Sequence, residues 1–326
     1  MAGPVDDASG DGTDRCTLPG MSDLLKDGQP FLASELATLG LSRHQLRRLL
    51  DEHIVRRVLR RVYVSSNVED SRELRIAALA LIMPKDGVLY GCTASWAMGV
   101  DTFAPNARFD LVPQCVVPHG SGRSKTQGVR CVEGYLCSGD IVELGPLRST
   151  CPTRLTTDLL RTLRRPYALS AADGMAHAGL VTVSEVMSRL DRLKGYPGII
   201  QARELSVLID RLTESSGESW QRLRLIDAGF PRPRSQYVVL DHNGRFIARL
   251  DHAYPLVRVG SEYDGREYHG HGDDIAADNR KRDYLTRVMG WRLEINCRED
   301  ILGRDDSFER RIGEYLGRVP ELPRQW

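Results

Sequence analysis

Lysine is scarce in this chain: five residues (Lys26, Lys85, Lys125, Lys194 and Lys281) stand against 40 arginines. Such a bias is the usual imprint of a GC-rich genome, so arginine runs carry less functional weight here than elsewhere. A surplus of one charge is also missing. The net charge is +1 over 326 residues, and nothing global points to a polyanionic partner, which leaves local patches to be weighed. Long apolar runs are absent too. The longest, Ile76–Met83, is too short to span a bilayer, and the first 22 residues have no apolar core of the secretory kind. These absences predict a soluble, cytoplasmic protein without a membrane partner. Finally, no Cys-x-x-Cys occurs. Cys16, Cys92, Cys115, Cys131, Cys137, Cys151 and Cys297 are scattered and odd in number, with no histidine at zinc-finger spacing, which argues against structural zinc and for reduced thiols.

The chain is long enough for two or three domains of about 100–150 residues, and 41% hydrophobic residues can fill their cores. Residues 1–22, rich in Gly, Asp and Ser, read as a disordered tail. Within 23–66, Phe31–Leu39 has a short helical pattern. Ser42 is placed to cap a second helix, Arg43–His53, whose Leu46, Leu49 and Leu50 form one apolar stripe. Two β-prone runs follow, Ile54–Arg57 and Arg61–Ser65. Helix, turn, helix and hairpin is the order of a winged helix-turn-helix.

Residues 70–195 read as a mixed α/β middle domain. Helices are expected over Arg72–Met83, Thr93–Met98, Thr153–Leu163, Ser170–Ala178 and Val183–Arg192, and strands over Phe109–Val112, Val129–Glu133 and Ile141–Leu144. Residues 199–326 form a third unit. A helix over 199–218 is followed by strands Gln236–Leu240, Arg245–Asp251 and Val257–Tyr263, the first two joined by the turn His242-Asn243-Gly244. A helix over Asp274–Met289, closed by Gly290, then leads to strand Trp291–Asn296. The fold class is thus α/β multidomain.

Four carboxylates stand out in the third unit. Glu218 lies on a helix, Asp251 ends a strand, and Glu262 and Asp264 sit two apart on the next, hence on one side of the sheet. If the two strands pair, Asp251 lies close to Glu262. Packed carboxylates repel, and Mg²⁺ (or Mn²⁺) relieves the repulsion with oxygen ligands while keeping several waters. Such an ion polarises a phosphate and acidifies a water. His269 follows closely as a candidate general base. Arg280 and Arg282 are candidates for binding phosphate. Solvated strand-end acids and an exposed loop histidine are the plainer alternative.

The run Gly217-Glu218, Arg249-Leu250-Asp251, Glu262-Tyr263-Asp264-Gly265 with His269, Arg282-Asp283, Gly290 and Trp291-Arg292 resembles the very-short-patch-repair-like (Vsr-like) branch of the PD-(D/E)XK nucleases. The resemblance covers about 90 residues. It implies a restriction-endonuclease-like α/β domain with Glu218, Asp251 and Glu262 as metal ligands, Asp264 assisting and His269 as base. Asp264 stands where the wider superfamily carries lysine, and the Vsr-like branch is thought to use histidine instead.

The N-terminal region has its own charge. Between residues 43 and 61, seven arginines face only Asp51 and Glu52. In a winged helix the second helix enters the major groove and the hairpin touches backbone. Arg43, His44, Arg47 and Arg48 would then contact groove and phosphate, with Arg56, Arg57, Arg60 and Arg61 along the wing. The segments Phe31–Leu36, Gly40-Leu41-Ser42, Leu46–Leu49 and Arg57–Tyr63 resemble the N-terminal domain of AbiEi-type antitoxins. Gly91–Trp96 and Thr153–Leu159 resemble the middle region of those proteins more loosely. That family usually has glycine where Arg61 stands. The resemblance implies DNA binding, autoregulation and antagonism of a nucleotidyltransferase-type toxin. Two readings therefore compete: a DNA-binding protein with a metal-dependent endonuclease domain, or a type IV toxin–antitoxin regulator whose nuclease fold is inactive. A protein-binding scaffold with neither activity is the third.

Overall fold

In the computed structural model, which describes residues 28–105, 112–120, 128–265 and 279–326, Ser42 caps the helix Arg43–Asp51, as its sequence predicts. Its Oγ accepts from the Gln45 backbone N–H (3.2 Å), and the Gln45 side chain accepts from the Ser42 N–H (2.7 Å). Two orphan donors of the helix start are satisfied reciprocally. The chain is a mixed α/β protein with three sheets among the described residues, and it divides into two units, Met1–Ile82 and Met83–Trp326.

The first unit contains β1 (Phe31–Leu32), α1 (Arg43–Asp51), β2 (Val55–Leu59), β3 (Val62–Ser65) and α2 (Arg72–Ala80), with an antiparallel sheet in the order β1-β3-β2. The core gathers Phe31, Leu36, Leu41, Leu46, Leu49 and Val55. The helical pattern expected over Phe31–Leu39 is not a helix. Phe31 pairs with Tyr63 across the sheet, and residues 33–40 are turns. The Glu35 carboxylate accepts the Leu32 N–H (2.8 Å), and sheet pairing plus a local side-chain bond outweighs a weak propensity. Arg61, in the β2–β3 turn, has φ 71°, the left-handed region that glycine favours.

The second unit opens with β4 (Val88–Leu89), α3 (Gly91–Ala97), β5 (Gln114–Pro118), β6 (Arg130–Gly134), β7 (Ile141–Leu144) and β8 (Leu147–Thr150). They form a mixed sheet in the order β6-β5-β4-β8-β7. The strand expected over Phe109–Val112 lies almost wholly outside the described residues. Four helices follow: α4 (Pro152–Thr162), α5 (Arg165–His177), α6 (Val183–Arg192) and α7 (Ile199–Ser206). Asp158 is held by Arg154 (2.6 Å) and Arg161 (2.9 Å), a structural use of that acid.

The helix expected over 199–218 is two helices. α7 stops at Ser206, and α8 (Ser216–Asp227) begins afresh because Ser215 Oγ accepts the Glu218 N–H (3.2 Å), an N-cap that sets a new start. Next come β9 (Arg234–Leu240), β10 (Phe246–Tyr254), β11 (Val259–Tyr263) and β12 (Arg292–Asn296), in the sheet order β12-β11-β10-β9. β11 and β12 run parallel; the other neighbours are antiparallel. Two helices that the sequence reading did not assign, α9 (Arg298–Leu302) and α10 (Ser307–Leu316), follow β12. Trp220 and Leu225 of α8 pack with Val259, Ile301, Phe308 and Ile312. A separate cluster joins Val239, Ala248 and Leu250 to Leu285 and Trp291. Leu285 belongs to a π-helical stretch, Tyr284–Val288, that continues a helical turn at 279–283 and stops at Gly290 (φ 69°).

Candidate functional site

The N-terminal turn of α8 carries Glu218. Its Oε2 accepts from the Glu214 N–H (3.0 Å) and from Gln236 Nε2 (2.8 Å), which holds a largely buried carboxylate in place. Gln236 reaches it from β9 with φ 51°, a strained conformation of the kind that surrounding structure must enforce. Gly217 is required by close approach. A Cβ there would lie 2.0 Å from Tyr263 Cε1. The Tyr263 ring lies edge-on to Trp220, with centroids 6.5 Å apart, so α8 and the end of β11 are locked together.

β10 and β11 bring the next two acids together. His252 pairs with Ser261 and Ala253 with Gly260. Continuing that register sets Asp251 across from Glu262. Asp251 Oδ2 accepts the Tyr263 N–H at 2.7 Å. Burial pushes the Asp251 carboxyl up to about 7, against the pull of that hydrogen bond, and the negative charges of Glu218 and Glu262 raise it further. The three acids on three elements therefore act on one another electrostatically.

Glu262 is already answered by cations. Arg282 Nε and Nη2 each lie 3.3 Å from Oε2, and Lys281 Nζ lies 3.5 Å from Oε1. Arg282 also stands 3.9 Å from Asp264. The Gln221 amide donates to the Glu262 backbone carbonyl (3.3 Å). Arg280 is exposed on the same helical turn. His269, the expected base, lies outside the described residues. Among the described residues, no three His, Cys, Asp or Glu side chains are gathered as they would be around a metal ion. The acids are neighbours without forming a closed cage.

Two site residues escaped the sequence reading. Lys281 comes from the helix rather than from the strand position held by Asp264. Its signal was rarity, one of only five lysines in a chain with 40 arginines. His252 is fully buried, and burial, with help from the Arg222 charge, pushes it down to about 3. It is neutral, and its Nε2–H donates to the Glu218 carbonyl (2.9 Å). No periodicity distinguishes such a histidine from a solvated one.

In the N-terminal unit, α1 presents Arg43, His44, Arg47 and Arg48 at the surface. Arg48 pairs with Glu52 (2.6 Å). Arg57 and Arg60 are exposed on β2 and its turn, whereas Arg56 turns back to donate to the Val68 carbonyl (2.8 Å). A cleft of about 410 Å³ lined by Arg43, Arg47, Arg61 and Tyr63 lies beside the exposed face of α1.

No helix among the described residues is long and apolar enough to cross a membrane. No family model matches the chain. Two uncharacterized proteins of Mycobacterium tuberculosis, from strains CDC 1551 / Oshkosh and ATCC 25618 / H37Rv, are each 31% identical to it over 171 residues. The match covers 52% of this chain and 62% of each relative, so the chain spans less than two thirds of the relatives it matches. Among solved structures, the crystal structure of the RV2827C protein from Mycobacterium tuberculosis aligns at 13% identity and a TM-score of 0.31, covering 57% of this chain and 75% of that one.

Proposed function

We propose that the chain is a DNA-binding protein whose C-terminal region is a Vsr-like, Mg²⁺-dependent endonuclease hydrolysing phosphodiesters. One observation carries the reading: Asp251 lies across β10–β11 from Glu262 and beside Glu218, and burial, with the negative charges of both, raises its carboxyl to about 7. That donor set fits a hard divalent cation. It is an open site rather than a finished cage, and Mg²⁺ commonly takes only one or two carboxylates while keeping waters. Asp251, with Glu218 and Glu262, would hold the ion. When bound, it supplies positive charge to phosphate oxygens and acidifies a water. Lys281 and Arg282 give the site cations that can meet a phosphate, and Asp264 assists by facing Arg282. His269 keeps the role of general base. His252 and Gln236 fix the backbone and the carboxylate of Glu218. The N-terminal unit, read as a winged helix, delivers DNA through Arg43, His44, Arg47, Arg57 and Arg60. Plasmid nicking with Mg²⁺ tests the reading: wild type nicks and Asp251→Ala does not, and equal cleavage by the two rejects it.

A second reading is supported by Glu262, whose two oxygens are already paired with Lys281 and Arg282. A site neutralised by its own cations suits an AbiEi-like regulator, or an antitoxin to a nucleotidyltransferase-type toxin, with a retired nuclease fold. It expects operator binding that weakens with salt and no cleavage with Mg²⁺ or Mn²⁺. A gel shift across a salt series, run beside the nicking assay, separates the two.

A further inference from the structure

Cys115 and Cys131 lie on the adjacent parallel strands β5 and β6, directly paired in register. Their Sγ atoms are 3.1 Å apart. Neighbouring strands are separated by about 4.8 Å, inside the Cα window of about 4.4–6.8 Å that a disulfide needs. The two thiols differ in access. Cys115 is fully buried, whereas Cys131 is partly exposed on β6, the edge strand of its sheet. Burial also pushes the Cys115 thiol up, so it stays protonated and inert toward solvent reagents.

We propose that Cys115 and Cys131 are a covalent modification site: a cysteine pair that closes to a disulfide by exchange with a low-molecular-weight disulfide. The proposal is independent of whether the chain cleaves DNA. In the first step the Cys131 thiolate attacks one sulfur of the small disulfide RS–SR. The RS–SR bond breaks, a Cys131–SR mixed disulfide forms, and RS⁻ leaves and takes up the proton that Cys131 has lost. In the second step Cys115 gives up its proton and attacks the Cys131 sulfur. The S–SR bond breaks, the Cys115–Cys131 bond forms, and a second RSH departs. Two protein thiols are oxidised and one small disulfide is reduced to two thiols. A buried resolving thiol in contact with an accessible one gives this order of attack. The other described cysteines have no such partner among the described residues: Cys137 is exposed, and Cys92 hydrogen-bonds only to the Thr102 carbonyl.

The test uses the full chain and oxidised glutathione. After treatment, unreacted thiols are alkylated under denaturing conditions and the protein is digested with trypsin. Arg123, Lys125 and Arg130 lie between the two cysteines, so a disulfide appears as two linked peptides that separate on reduction. The expected result is that linked pair, with both cysteines protected from alkylation. In Cys115→Ser, Cys131 should accumulate a stable glutathione adduct. In Cys131→Ser, Cys115 should stay alkylatable. The proposal is overturned if wild-type Cys131 carries only the adduct while Cys115 remains a thiol, or if both stay unmodified. The wild-type peptide map decides the matter even where a variant fails to fold.

Discussion

Arg222 of α8 and Asp173 of α5 meet at 2.6 Å with both side chains out of contact with solvent. The guanidinium donates to Asp173 Oδ2, which also accepts from Ser219 Oγ (2.7 Å), while Oδ1 accepts the Asp210 N–H (2.8 Å). Arg222 Nη1 donates to the Leu208 carbonyl (2.6 Å). This pair ties the helix bearing Glu218 to the helices that precede it, inside one unit. Breaking a buried pair strands a charge, at a cost of about 3–5 kcal/mol. Asp173→Ala should lower the stability of the full chain by that amount in a denaturant titration. A change of less than about 1 kcal/mol would show that the pair does not organise α8.

The pH dependence of Asp251 has a definite sign. Its carboxyl is raised from 3.8 to about 7, so the folded state binds a proton more tightly than the unfolded state. Its contribution to stability is fully present below about pH 4 and is lost as pH rises through 7. Asp251→Asn should therefore leave stability near pH 4 unchanged and raise it at pH 8, by about 1–3 kcal/mol once partial solvation is allowed for. If the site holds Mg²⁺ as proposed, the ion should raise the thermal midpoint of the wild type at pH 8 and not that of Asp251→Asn. Thermal unfolding at the two pH values, with and without Mg²⁺, reads both effects.

On the nuclease reading, substitution of Lys281 separates metal binding from phosphate contact. If the chain is a nuclease, Lys281→Ala should lower the nicking rate about 100-fold or more, the scale of losing one positioned charge. The Mg²⁺-induced shift in thermal midpoint should persist. Loss of that shift together with activity would place Lys281 in support of Glu262 alone.

Gly217 is set by contact rather than by backbone conformation. Gly217→Ala would drive a methyl into the Tyr263 ring, and overpacking of this kind costs about 1–3 kcal/mol or more. Tyr263→Ala in the same background should recover part of the loss, because the obstructing ring is gone. A double-mutant cycle by denaturation measures the coupling.

Arg61 makes the opposite prediction. With φ 71°, its backbone sits where a side chain is unfavourable, and Arg61→Gly should stabilise the N-terminal unit by about 0.5–1 kcal/mol. Hydrogen exchange over β2 and β3 would report it. Slower exchange supports the assignment, and faster exchange would show that the Arg61 side chain contributes more than its backbone costs.

Local rules were legible in the sequence because they act over a few residues. The cap at Ser42, the turn around Asn243-Gly244, the stop at Gly290 and the full span of Val183–Arg192 all follow from side chains that bond their own neighbours or repeat at helical spacing. The sequence named Glu218, Asp251, Glu262 and Asp264 from their spacing, but β11 ends at Tyr263, so Asp264 lies just past the strand rather than on it. Other features depended on segments far apart in the chain. Phe31 became a strand residue because Tyr63 offered it a partner. α9, at five residues, is too short to show a period and is specified by the core it covers, where Ile301 meets Trp220, whereas Phe308, Ile312, Tyr315 and Leu316 of α10 do repeat at helical spacing. Lys281 reached Glu262, and His252 reached Glu218, through packing that no periodicity encodes. Sequence by itself determined which groups could cap, turn, alternate and carry charge. Only the tertiary structure decided which charges face one another and which lose water, because burial and electrostatics depend on distances through space rather than along the chain.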